Sequence, residues 1–99
     1  MAWLRNCGVA IAQHTLGNEG ESSSALETLI RDSAEDSAYQ IAEVYAWRGD
    51  SDRAFSWLNR AADQRDTGIA WMKTDQLLRT IRSDPRWKPF LRRVNLPAD

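Results

Sequence analysis

The stretch SAYQIAEVYAWRGDSDRAFSWLNRAA, Ser37–Ala62, decides the fold. From Ser37 to Arg48 the apolar positions Ala38, Ile41, Ala42 and Tyr45 fall at i, i+3, i+4 and i+7, the stripe of an amphipathic helix. Ser37 and Gln40 read as a capping box at its start, and Gly49 after Arg48 as its stop. The pattern resumes with Ala54, Phe55, Leu58, Ala61 and Ala62, capped by Asp50 or Ser51. A connection as short as Gly49-Asp50 makes the two helices antiparallel neighbours, a helical hairpin.

Working outward, Val9, Ala10 and Leu16 predict a first helix that ends at Gly17-Asn18, 32 residues before Gly49-Asp50. Ala25, Leu26, Leu29 and Ile30 predict a second, with the polar run Gly17–Ser24 as the connection. Beyond Ala62, Leu77, Leu78 and Ile81 predict one short helix. Ser83-Asp84-Pro85 then opens a closing helix with the stripe Trp87, Phe90, Leu91 and Val94, and Pro85 as its first position. Alternation never persists, so no strand is expected and the fold class is all-α.

The 99 residues, 42% hydrophobic and 27% charged with net charge -1, bound the chain to one small domain, 1–99. A lone Cys7 forms no internal disulfide, and no Cys/His spacing suits zinc, so no metal and no cofactor are expected. The uncharged run after Arg5 is too short for an export signal, and no stretch approaches a membrane span, so the expected location is cytoplasmic. Charge is polarised: residues 1–50 carry three Arg against eight Asp/Glu, and residues 51–99 ten Lys/Arg against six Asp/Glu. An anionic partner at the C-terminal end, or attraction between the two ends in a stack, would follow.

On Ala38, Ile41-Ala42, Tyr45, Ala54 and Leu58, residues 38–61 resemble a tetratricopeptide repeat, a helical hairpin with a period of about 34 residues. Small residues at 42 and 54 suit close helix approach. A shift of 32 places Asn6, Val9-Ala10, Gln13, Ser22 and Leu26 at the same positions, a degenerate copy. Asp66 stands where the family's closing proline would fall. Gly68–Pro97, with Asp75-Gln76-Leu77-Leu78, is similar to the closing segment of bacterial tetratricopeptide proteins. The resemblance implies a degenerate repeat over about 3–33, a clear one over about 35–66 and a helical cap over about 68–97. Together these would form a short right-handed solenoid.

Three clusters invite chemistry. Cys7 and His14 could share a helix face as nucleophile and base, but no orienting group or oxyanion site is legible beside them. Asp32, Glu35 and Asp36 sit between helices, where capping and solvated charge are expected, and form no calcium loop. Arg79, Arg82, Arg86, Lys88, Arg92 and Arg93 interleave with Trp87 and Phe90. Those aromatics take the buried stripe, however, which leaves the basic residues as a solvated face and argues against nucleic acid. No enzyme activity is expected. The five Trp residues read mostly as core, with Trp47 the exception.

What the resemblance implies is a concave groove that binds a peptide or helix of a partner protein. By it, Tyr39, Gln40, Glu43 and Trp47 line that groove, with Ile11 of the first repeat. Tyr39, Glu43 and Trp47 would follow one another as an exposed ridge at i, i+4 and i+8, opposite the buried Ala38, Ile41, Ala42 and Tyr45. The alternatives are a structural cap or self-association segment of a longer repeat protein, and nucleic-acid binding through the basic end. The loose apolar pattern of Trp3, Leu4 and Ile11 predicts self-association or upstream repeats.

Overall fold

The computed structural model describes Ala2–Leu96, with side chains from Cys7 onward, so Trp3, Leu4, Asn6 and Pro97 lie outside the described side chains. The chain is built from α1 (Ala2–Thr15), α2 (Glu19–Ser33), α3 (Ala38–Trp47), α4 (Ser51–Asp63), two 3₁₀ helices (Thr67–Thr74 and Gln76–Ile81) and α5 (Trp87–Arg93). No strand occurs among the described residues, and no helix is long and apolar enough to cross a membrane.

Helices α1 and α2 pair along their length, as do α3 and α4. Four helices end in one and the same turn. The amides of Gly17 and Asn18 donate to the carbonyls of His14 and Gln13, and those of Gly49 and Asp50 to Ala46 and Tyr45. This is the Schellman arrangement, which needs a left-handed residue after the helix, and the two glycines supply it at φ +83° and +82°. Arg65 and Asn95 close α4 and α5 in the same way at φ 56° and 63°. Asp50 caps α4, accepting from the Arg53 amide.

Small residues set the approach within each hairpin. Ala42 and Ala54 are fully buried, as are Ala10 and Ser22, which stand 32 positions earlier. Ser22 Oγ donates to the Ala10 carbonyl at 2.6 Å. That bond explains why the polar run Gly17–Ser24, expected as a connection, is helix from Glu19: its one inward serine has a partner.

Contacts then recur between helices at near-constant sequence separation. Cys7 Sγ lies 3.9 Å from the Gln40 carbonyl and Trp47 Nε1 2.9 Å from Thr15 Oγ1, so α1 runs parallel to α3 at an offset of 33 and 32 residues. Arg86 pairs with Asp52 and Arg93 with Asn59, each 34 residues apart, so α5 runs parallel to α4. Phe55 meets Phe90 edge to face. The middle hairpin α3–α4 therefore has the first hairpin on one flank and the C-terminal segment on the other. Its two cores meet in α3: Ile41 and Val44 join Ala10, Leu26 and Leu29, while Ala38, Ala42 and Ala46 join Leu58, Met72, Leu78 and Phe90.

Several sequence expectations are corrected. Ser37 makes no side-chain cap; Asp66 does that work from a distance, accepting from the Tyr39 amide with one oxygen and the Gly68 amide with the other. The single short helix expected near Leu77 is two 3₁₀ helices, held by a buried stripe of period three, Ile69, Met72, Leu78 and Ile81. Helix α5 begins at Trp87 rather than Pro85, because Asp84 accepts from the Arg86 amide and closes a turn there. Tyr45, placed in the buried stripe, is half-buried between the two cores with the Arg53 guanidinium over its ring. Of the four Trp side chains described, only Trp87 is buried: Trp47 and Trp57 are half-buried and Trp71 is 72% exposed.

Candidate functional site

Helix α3 points its side chains in three directions. At about 100° per residue, Ile41 and Val44 face the first hairpin and Ala38, Ala42 and Ala46 face α4 and the C-terminal segment. The remaining sector carries Gln40, Glu43 and Trp47, all half-buried. Ile11, midway between Cys7 and Thr15 on the parallel α1, is half-buried beside them. Four of the five residues read as groove residues thus share one face, spanning α1 and α3.

Tyr39 does not belong to it and is corrected: it is 3% exposed, within the core. A step of four residues advances about 40° around a helix, and at Tyr39 that turns the side chain onto the first 3₁₀ helix. The contact is close. A Cβ on Gly68 would lie 2.6 Å from Tyr39 Cδ2, so only glycine lets the ring lie there. The Tyr39 hydroxyl donates to Asp75 Oδ2 at 2.6 Å.

Asp75 is the residue that sequence reading did not single out. It stands at the middle of the period-three stripe, between Met72 and Leu78, and so is aimed at α3 as they are. Its Oδ1 accepts from the Leu77 amide at 2.9 Å, its carbonyl accepts from Arg82 Nη2 at 2.8 Å, and its carboxylate is hydrogen-bonded to Glu43. A carboxylate interrupting an apolar stripe of period three is the signal that finds it.

The two carboxyls are driven apart by this setting. Burial, then the hydrogen bond to Asp75 and the charge of Asp75, push Glu43 up to about 9. Burial also pushes Asp75 upward, but the hydrogen bonds from Glu43, Tyr39 and the Leu77 amide outweigh it and hold its carboxyl below the usual range. Near neutrality the pair therefore holds one proton, carried by Glu43 and donated to Asp75. Burial first, then Asp75, raise the Tyr39 phenol, which stays protonated. The face of α3 thus offers an acid whose proton is held by Asp75 and whose other oxygen can accept, an amide, and an indole ring whose N–H is taken by Thr15.

The other clusters have separate employment. Burial, then the charges of Glu43 and Asp75, push the Cys7 thiol up to about 12, so it is no thiolate at neutral pH. His14 Nδ1 lies 2.6 Å from the Glu19 carboxylate, which also takes Arg48 at 3.0 Å. Asp32, Glu35 and Asp36 are exposed, and Asp32 pairs with its neighbour Arg31. Within the basic cluster, Arg86 binds Asp84 and Asp52 and covers the Phe55 ring, and Arg93 binds Asn59 and Asp63. Among the described residues no three metal-ligating side chains converge.

No family model matches the sequence, and no curated protein or solved structure matches it.

Proposed function

We propose that the chain is a non-catalytic protein-interaction module of tetratricopeptide type, which binds a peptide or helix of a partner protein along the open sector of α3. One observation carries this reading: Gln40, Glu43 and Trp47 line up half-buried on α3 beside Ile11, on the sector of that helix that contributes no side chain to either hydrophobic core. The offsets of 32 to 34 residues between parallel helices support the repeat class. A preformed face of this kind orders little on binding, so a partner's apolar anchor against the Trp47 indole retains most of its burial energy. Glu43 and Asp75 favour a hydrogen-bond donor next to that anchor. Nucleic acid finds less support, because Arg86 and Arg93 are engaged by carboxylates of α4 and of the turn before α5.

The test is a peptide selected from a random library on the wild-type chain. It should shift the amide resonances of Gln40 and Glu43 and the Trp47 indole proton. Trp47→Ala should weaken it by ~2 kcal/mol, about 30-fold, with a cooperative melt retained. Shifts confined to the C-terminal segment, with full affinity in Trp47→Ala, would overturn the proposal.

A further inference from the structure

The part of the chain that builds the α3 face is acidic. Residues 1–47, from the start through α3, carry seven carboxylates against two arginines, a net charge of -5. A partner approaching that side meets a field that attracts cations. Within the face the charge has a definite seat. Glu43 stands half-buried between Gln40 and Trp47, on the sector free of core side chains, and is hydrogen-bonded to Asp75 of the C-terminal segment. Asp75 is occupied on its inner side, where the Tyr39 hydroxyl reaches Oδ2 at 2.6 Å and the Leu77 amide reaches Oδ1 at 2.9 Å.

The groups that act on this pair leave it negative. Asp66 adds a further negative charge near Glu43, the Tyr39 phenol and the Cys7 thiol keep their protons, and Arg82 donates to the Asp75 carbonyl at 2.8 Å. One Glu43 oxygen holds the proton given to Asp75, so the other is left to accept from a partner. Trp47 is four residues further on, about 6 Å along the helix. Its N–H is taken by Thr15 Oγ1 at 2.9 Å, so the ring presents carbon to a partner. An apolar seat and an acidic seat thus stand one helical turn apart on the same face.

We propose that the α3 face takes a Lys or Arg side chain of its partner, seated on Glu43 beside an apolar anchor on Trp47, and that this cation enters by expelling the proton which Glu43 shares with Asp75. The inference rests on the reading of the α3 face as a partner site and names the chemistry of what binds there. Two carboxyls in contact keep one proton between them because both cannot carry charge side by side. A guanidinium or ammonium that bridges the pair removes that constraint: its charge offsets theirs, its N–H groups replace the shared proton, and the proton leaves Glu43 for solvent. Contact with a cation lowers the proton affinity of a carboxyl roughly a hundredfold, which takes Glu43 from about 9 in the free chain to about 7 in the complex. Binding therefore strengthens as pH rises from about 7 toward 9, part of the range over which Glu43 makes the folded chain less stable.

The experiment starts from random peptides displayed on phage and panned on the wild-type chain at pH 8, which should return sequences enriched in Lys or Arg near an apolar residue. The tightest binder is synthesised as selected and with each basic residue in turn made uncharged, citrulline for Arg and norleucine for Lys. Calorimetry of the charged peptide at pH 8, in two buffers of different ionisation heat, should show about 0.8 proton released per peptide bound. Its Kd should fall about tenfold from pH 6 to pH 8, whereas one uncharged peptide should release no proton and bind about tenfold more weakly at pH 8. Glu43→Gln should bind those two peptides within about twofold of each other, release no proton and still shift the Trp47 indole resonance. The comparison of peptides on the wild type needs no variant, so it decides the matter even if Glu43→Gln fails to fold. Binders that shift the Trp47 indole but carry no Lys or Arg, or that bind without releasing a proton, would overturn the cation inference and leave the partner site standing. Binders that leave Trp47 unmoved, or a panning that returns none, would overturn both.

Discussion

The substitution Glu43→Gln changes one proton and almost nothing else. In the folded chain Glu43 keeps its proton to about pH 9, while the unfolded chain loses it near about 4.3. Between those values unfolding releases a proton, so the contribution of this group is complete below about pH 4 and is lost as pH rises toward 9. Asp75 has the opposite sign: its folded value is depressed, so its contribution is present above the ordinary carboxylate range and fades only in acid. The two windows do not overlap. The ceiling on the Glu43 slope is about 1.4 kcal/mol per pH unit, and solvent reaching the half-buried side chain lowers it by about half, leaving a loss of about 2 kcal/mol between pH 5 and pH 8. For a chain of this size that is about 10 °C in melting temperature. The amide introduced by Glu43→Gln would still donate to Asp75 but has no proton to lose. Urea unfolding of both forms at pH 5, 6.5 and 8 should therefore give curves that diverge, the variant holding its stability while the wild type falls. Parallel pH profiles would show that Glu43 and Asp75 do not share a proton, and the electrostatic description of the α3 face would fail.

Three further substitutions probe the framework. Gly68→Ala should cost ~1 to 3 kcal/mol by urea titration, because the Tyr39 ring, pinned by Asp75, cannot retreat from a Cβ at 2.6 Å; an unchanged midpoint would contradict that packing. Ala54→Leu, at the fully buried contact between α3 and α4, should cost a similar ~1 to 3 kcal/mol, and unaltered thermal stability would mean that the hairpin is more open than described. Arg65→Gly should raise stability by ~0.5 to 1 kcal/mol, since the left-handed position that ends α4 suits glycine; a loss by calorimetry would show that the arginine side chain repays the strain.

The paired helices were legible because their signals are local. Gly17 and Gly49 announce left-handed turns, and the alanines at 10, 42 and 54 mark close approach, so a scan for period and punctuation finds both hairpins. What escaped depended on partners distant in sequence. Ser22 looks like loop until the Ala10 carbonyl is found beneath it, and Asp66 looks like a missing proline until it is seen capping α3 from 27 residues away. Tyr39 and Glu43 obey the same i, i+4 rule, yet only one is covered, because the rule does not say where the first 3₁₀ helix packs. Asp75 escaped because its period of three is not the period of an α-helix. The all-α class and the shared face of Ile11, Gln40, Glu43 and Trp47 were thus readable, and the buried end of that ridge was not.

Cys7 gives this molecule a built-in clock. Its thiol is raised to about 12 and sits on α1 against the Gln40 carbonyl of α3, so an alkylating reagent finds almost no thiolate and little access while the layers are closed. Reaction requires α1 to lift away, and the rate at which the single sulfur is consumed therefore reports how often the first hairpin parts from the second. Only one thiol is present, so that signal needs no engineered probe, and it separates peeling of an outer layer from collapse of the whole chain.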